Sequence, residues 1–206
     1  MILSHNRLFF VPVDRSARLR YTFTIRRFVA FRKFVHPMPK PTGLFIGRFQ
    51  PLHNGHMLVI EGMTKVCGKI WIGIGSSSSH HEKENPFTAA ERREMLQRAL
   101  QDKSLIPMFD INFVELPDET DDMAWRDKVL EKTGSVDVVW TGNEKTAKCF
   151  EGVVPVKPIK EVPGISAMDI RKMMVEENMD WKKKVPHDVM MFIGEIDGVA
   201  RVKALE

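Results

Sequence analysis

Cysteine is scarce: Cys67 and Cys149 are the only two in 206 residues. That is too few for a disulfide scaffold or a four-thiolate metal site, so both are expected to be reduced thiols of an intracellular protein. No apolar run approaches the roughly 20 residues that a membrane-crossing helix needs. Acidic residues are nearly missing from positions 1–37, which hold Asp14 against eight Lys and Arg residues. The remainder carries 23 basic and 26 acidic residues, a net of −3 inside a chain whose formal total is +4. The basic balance therefore belongs to one segment, and no nucleic-acid or membrane partner is expected for the body of the protein. What is present is globular material: 43% hydrophobic and 28% charged residues exclude a collagen-like, low-complexity or wholly disordered chain.

Residues 1–37 mix arginine with aromatics, a composition shared by organelle-targeting peptides, nucleic-acid arms and translated upstream sequence. Met38 stands just before Pro-Lys-Pro-Thr-Gly and the first strand-like run, so translation starting at Met38 is one expectation for this segment. Residues 38–206 read as one domain. Short apolar runs alternate with longer helical patterns, which predicts an α/β fold with a doubly wound parallel sheet covered on both faces. Strands are expected at Gly43–Gly47, Lys69–Gly75, Asn112–Leu116, Val136–Thr141 and Val153–Val156. Helices are expected from Gly55 to Val66, from the capping box Thr88-Ala-Ala-Glu91, over Met123–Lys132, from Ser166-Ala-Met-Asp169 to about Glu177, and near Val189–Ile196.

The stretch Gly47-Arg-Phe-Gln-Pro-Leu-His-Asn-Gly-His56 joins the first strand to the first helix. Ligands of open parallel sheets settle beyond the carboxyl ends of the strands, where a helix N-terminus offers unpaired N–H groups to phosphate. His53 and His56 lie three apart, so one helical turn can present both to a polyphosphate as hydrogen-bond donors without either becoming a nucleophile. An isolated H-x-x-H pair is more often a surface or structural pair. Here the surroundings change that weighting. The pattern G-x-F-x-P-x-H-x-G-H resembles the signature of the nucleotidylyltransferase superfamily, with Arg48 and Gln50 in its variable places. Ile165-Ser-Ala-Met-Asp-Ile-Arg171 is similar to the superfamily's second element, in which Ser166 caps a helix and Arg171 offers a planar, charged donor to ATP phosphates. Met168 stands where the family has threonine.

A narrower resemblance covers nearly all of residues 43–203. Leu44 to Gln50, Gly73-Ile-Gly-Ser76, Asn85-Pro-Phe-Thr-Ala-Ala-Glu-Arg92, Thr141-Gly-Asn143 and Ile196-Asp-Gly-Val-Ala-Arg201 together look like the archaeal type of nicotinamide mononucleotide (NMN) adenylyltransferase. The resemblance implies a Rossmann-like domain, commonly a cytoplasmic homohexamer, that joins NMN to the adenylyl group of ATP to give NAD and pyrophosphate. It implies Gly47, Phe49, Gln50, Gly55, Gly75, Ser76, His81, Asn143 and Ser166 around ATP, with Arg48, His53, His56 and Arg171 at the reacting phosphates. Around the pyridine nucleotide it implies Asp118, Asp122 and Trp125, the indole stacking on a cationic ring. Asp122 stands where the family generally has asparagine and brings an added carboxylate.

No residue set at ligand spacing predicts a resident metal, since neither cysteine nor a third histidine joins the pair. Mg²⁺ is expected to arrive with ATP, held by phosphates and water. Two rival readings stay open at this level. One keeps the chemistry and changes the acceptor to flavin mononucleotide, phosphopantetheine or a cytidylyl acceptor. The other is a nucleotide-binding regulator without turnover, against which both motif histidines and Arg171 argue.

Overall fold

The computed structural model describes residues 39–160 and 162–206. The basic extension 1–37 and the alternative start at Met38 lie outside the described residues. Five strands form one parallel sheet in the order β3-β2-β1-β4-β5: β1 Thr42–Gly47, β2 Lys69–Gly75, β3 Asp110–Leu116, β4 Val138–Thr141 and β5 Val156–Pro158. The chain lays β2 and β3 to one side of β1, then returns to lay β4 and β5 on the other. The reversal falls between β1 and β4, which opens a crevice at their carboxyl ends.

Alternation along β1 builds the layers. Phe45 faces a core shared with α1 (Asn54–Val66), α2 (Ala89–Asp102), α6 (Ala167–Val175) and α7 (His187–Glu195). Leu44 and Ile46 face the other core, where Val129 of α4 (Asp122–Thr133) and Phe150 of α5 (Glu144–Phe150) close over the sheet. Both faces are therefore covered, as the continuous apolar strands predicted. A single turn at α3 (Leu105–Met108) leads into β3, and α8 (Gly198–Ala204) ends the chain. Among the described residues no helix is long and apolar enough to cross a membrane.

The fifth strand is displaced from its expected position. Val153 and Val154 both donate backbone bonds to Phe150 O, closing α5, and Val154 is buried in the second core. Val153 is exposed, and pairing begins at Val156 against Val139. Pro158 is tolerated because β5 is an edge strand. α5 itself was not expected. Its seven residues are too few for a periodic signal, and Asn143, whose Oδ1 accepts from Thr146 N at 3.0 Å, is the cap that marks it. The helix expected near Val189–Ile196 is α7, which stops at Glu195; Asp197, at φ 52°, then turns the chain into α8, which was not expected.

Candidate active site

A cleft of about 710 Å³ opens at the switch point. The first motif supplies one wall, because β1 must end and α1 must begin within seven residues. His53 is the N-cap of α1 and His56 its third residue. His56 N donates to His53 Nδ1, and His53 N donates to His56 Nδ1, both at 3.3 Å, a capping box built from two imidazoles. The rings stack with centroids 3.6 Å apart. Since each Nδ1 accepts a backbone proton, the neutral tautomer carries its own proton on Nε2, which leaves each ring an Nε2–H to donate. Burial lowers the His53 pKa from 6.5 to about 4, and burial together with His53 pushes His56 well below its ordinary value. Two neutral donors thus stand at the cleft at physiological pH. Gly55 suits the box: a Cβ there would lie 3.0 Å from His53 Nδ1, so the ring would have to give by a few tenths of an ångström.

The pairing makes stability pH-dependent in a definite direction. Above pH 6.5 the His53 imidazole is neutral in folded and unfolded chains alike. Between pH 6.5 and about 4 the unfolded chain takes up a proton that the folded site refuses, so stability falls as pH drops through that window. At about 1.36 kcal/mol per pH unit, the loss from His53 by pH 4.5 is about 2 to 3 kcal/mol. Denaturant midpoints at pH 7 and pH 4.5 check this. His53→Asn keeps a capping oxygen and should flatten the dependence, and an unchanged slope would remove His53 as its source.

Arg48 and Arg171 converge from the two motifs. Arg171, 7% exposed, donates from Nη1 to Gln50 O at 2.9 Å and from Nη2 to Glu84 Oε2 at 3.2 Å. Burial lowers its pKa from the usual arginine value, but a guanidinium remains charged. Arg48 Nη1 lies 3.9 Å from the same Glu84 oxygen. Ser166 caps α6, accepting from Asp169 N at 3.0 Å, as expected. Gly47, Gly75, Ser76, Asn143 and Ser166 all line the cleft. A Cβ at Gly75 would meet Gly47 O at 3.6 Å, ordinary contact, so its lack of a side chain serves the open space of the cleft.

Three further residues expected around ATP have side chains engaged elsewhere or set apart, although Phe49 and Gln50 both line the cleft. Gln50 borders the cleft, and its amide is held at both ends by Phe87: Nε2 donates to Phe87 O and Phe87 N donates to Oε1, each at 2.9 Å. It fastens the segment after β2 to the first motif. Phe49, 1% exposed and at φ 54°, turns its ring into the core and meets His56 edge-on at 4.8 Å, so it supports the imidazole from behind. His81 is exposed, at φ 56°, and packs edge-on against His80; it is not among the residues that line the cleft.

On the side of α4, Asp118, Asp122 and Trp125 line the same cleft. Ser76 Oγ donates to Asp118 Oδ1 at 3.1 Å. Trp125 is half-buried and meets Phe150 edge-on at 6.1 Å, so it belongs to the second core and to the cleft at once. The added carboxylate of Asp122 does not stand alone, because Lys145 Nζ lies 3.0 Å from Oδ1 and has its own pKa raised by that hydrogen bond.

Sequence reasoning gave no role to Arg92, Glu84 or Lys145. Arg92 follows Thr88 by four and shares a helical face with Met95, Leu96 and Ala99. A charge inside an apolar stripe was the available signal for it. The others had none, since their partners come from distant segments.

Among the described residues no group of three or more His, Cys, Asp or Glu side chains could hold a metal ion. The carboxylates bordering the cleft are already engaged: Asp118 by Ser76, Glu119 by Lys128, Asp122 by Lys145, Asp169 by Ser166 and Glu84 by Arg171. This donor set fits a divalent cation that arrives on a polyphosphate and keeps its water.

A strand-to-helix turn bearing two neutral imidazoles, opposed by a capped helix bearing a buried arginine, defines a nucleotidyl-transferring α/β domain. Residues 44–173 match the model of the cytidylyltransferase-like family. Nicotinamide-nucleotide adenylyltransferase of Thermococcus onnurineus (strain NA1) is 42% identical over 177 residues, 82% of this chain and 89% of that one. Its counterpart from Methanolobus tindarius is 36% identical over 168 residues, 78% and 92% of the two chains. The chain belongs to the archaeal nicotinamide-nucleotide adenylyltransferase family. Among solved structures, a bifunctional NMN adenylyltransferase/ADP ribose pyrophosphatase of Francisella tularensis, complexed with AMP and a manganese ion, shares the fold at TM-score 0.64 and 19% identity. The match covers 81% of this chain and 52% of that one, so the chain spans about half of the bifunctional protein. Plasmodium falciparum nicotinic acid mononucleotide adenylyltransferase complexed with NaAD shares it at TM-score 0.54 and 16% identity, over 78% and 98% of the two chains.

Proposed function

We propose that this chain transfers the adenylyl group of ATP to NMN, giving NAD and pyrophosphate. The 5′-phosphate of NMN is an anionic nucleophile at neutral pH and needs no general base. One of its oxygens bonds to the α-phosphorus of ATP, the bond from that phosphorus to the bridging oxygen breaks, and pyrophosphate leaves with the electron pair. The protein's work is alignment and charge stabilisation. Arg48 and Arg171 counter the repulsion between the two anionic substrates. The Nε2–H groups of His53 and His56 donate to charge developing on the phosphoryl oxygens. Mg²⁺ bound to the triphosphate would screen its charge and ease departure of pyrophosphate. Gly47, Gly75, Ser76, Asn143 and Ser166 border the ATP end in this reading, and Asp118, Asp122 and Trp125 the NMN end. The working form is taken to be a cytoplasmic homo-oligomer, as the family resemblance implies.

The observation that carries the reading is the meeting of both motifs, far apart in sequence, around one cleft at the switch point. Pyrophosphate release by the purified protein with ATP and each of NMN, flavin mononucleotide and phosphopantetheine tests it. Release with NMN alone is expected; ATP binding without release under any acceptor would favour a regulator.

The acceptor end has its own test. If Trp125 stacks on the pyridinium, Trp125→Ala raises the KM for NMN by about five- to thirtyfold and leaves that for ATP nearly unchanged, the range for a partly desolvated cation on an aromatic face. Equal changes for both substrates would reduce Trp125 to its contact with Phe150.

A further inference from the structure

The cleft holds an anion of its own. Glu84 Oε2 stands between Arg171 Nη2, at 3.2 Å, and Arg48 Nη1, at 3.9 Å, and Glu84 lines the cleft beside both. This carboxylate is 59% exposed, yet its backbone is fastened. Glu82 and Asn85 exchange backbone hydrogen bonds at 3.3 and 3.0 Å, which closes a turn around it. Two residues further on, Gln50 clamps Phe87 to the first motif. The turn and the two arginines are thus joined through the same segment, since Arg171 also binds the carbonyl of Gln50. An oxygen shared by two guanidinium groups has the surroundings that a phosphoryl oxygen seeks.

We propose that Glu84 is an internal competitor for the triphosphate subsite, holding Arg48 and Arg171 in register and giving way when the polyphosphate enters. The inference rests on reading the cleft as an ATP site. A triphosphate carries several charges against the carboxylate's one, so it wins the arginines, but it must first break two charged contacts and then tolerate a displaced carboxylate nearby. Glu84 is in this sense a positioning residue. It weakens binding of the polyphosphate, and it should leave unchanged the binding of any ligand that lacks phosphate.

The test is direct binding to the full chain, by calorimetry and without acceptor, of ATP, inorganic tripolyphosphate and adenosine. Glu84→Gln, nearly isosteric and more than half exposed, should bind ATP and tripolyphosphate about three- to tenfold more tightly, the scale of a partly exposed charged contact together with relief of like-charge repulsion. Adenosine should bind both forms equally. Glu82→Gln removes the same charge from the same turn away from the cleft and should change nothing beyond twofold. Unchanged or weaker polyphosphate binding in Glu84→Gln overturns the proposal, as does an equal gain in Glu82→Gln, which would reduce the effect to net charge. If the native chain binds neither ATP nor tripolyphosphate, the ATP reading itself fails, and that result is separate from the behaviour of the variant.

Discussion

His56→Ala should lower kcat by about a hundredfold or more while changing the KM for ATP little. A donor aimed at charge that develops only on the way to products acts on the chemical step, and removing one such donor typically costs about 2.7 kcal/mol or more of barrier. The alternative explanation is structural, because His56 Nδ1 also accepts the backbone proton of His53. Losing that bond should cost about 1 kcal/mol of stability, the usual value of a helix cap. His56→Gln separates the two. Glutamine at the third position of a helix is a natural capping-box partner, so it should recover stability without recovering the rate. If rate and stability return together, the imidazole serves the cap and not the reaction.

The parts of the site legible from sequence are those whose chemistry and local geometry coincide. His53, Gly55 and His56 had to be adjacent in sequence because one helix turn builds the donor pair. Ser166 and Arg171 were legible for the same reason, as a cap and a residue one turn into its helix. Glu84 and Lys145 are different: each owes its role to a charge brought in by the fold from another element, Arg171 for Glu84 and Asp122 for Lys145. Gln50 shows the converse. A polar side chain inside a phosphate-binding signature reads as a ligand donor, but the chain passes close enough at Phe87 to take both ends of its amide. The sheet was legible because continuous apolar strands reveal burial on both faces. The exact start of β5 was not, since a pair of valines reads as strand, whereas Val154 packs in the second core at the end of α5 and Val153 is exposed.

Arg92→Met should destabilise the protein by about 3 to 5 kcal/mol, a fall in Tm of roughly 6 to 20 °C for a domain of this size. Arg92 is 0% exposed and makes four bonds to carbonyl oxygens: Nη1 to Arg48 at 2.8 Å and Gly75 at 2.6 Å, Nη2 to Ser76 at 3.0 Å, and Nε to Thr88 at 3.2 Å. Burial lowers its pKa to about 10, so the charge persists at neutral pH and is met by carbonyl dipoles. Arg48, Gly75 and Ser76 belong to the chain leaving β1 and β2, which makes this side chain the tie beneath the rim of the cleft. Methionine fills similar volume but returns none of the bonds. The magnitudes decide between two outcomes. Replacing a buried cation with an apolar group recovers desolvation energy and can be neutral when every partner is removed with it. Here the partners are backbone carbonyls that stay behind: Thr88 O keeps the backbone N–H of Arg92 and Ser76 O keeps that of Ser79, but the carbonyls of Arg48 and Gly75 lose their guanidinium donor at about 1 to 3 kcal/mol each, so destabilisation should win. Arg92→Lys, which keeps the charge and up to three donors, should fall between native and Met. A Met variant melting within 2 °C of the native protein would mean that these carbonyls reach water, and that the rim is held by the sheet and not by Arg92.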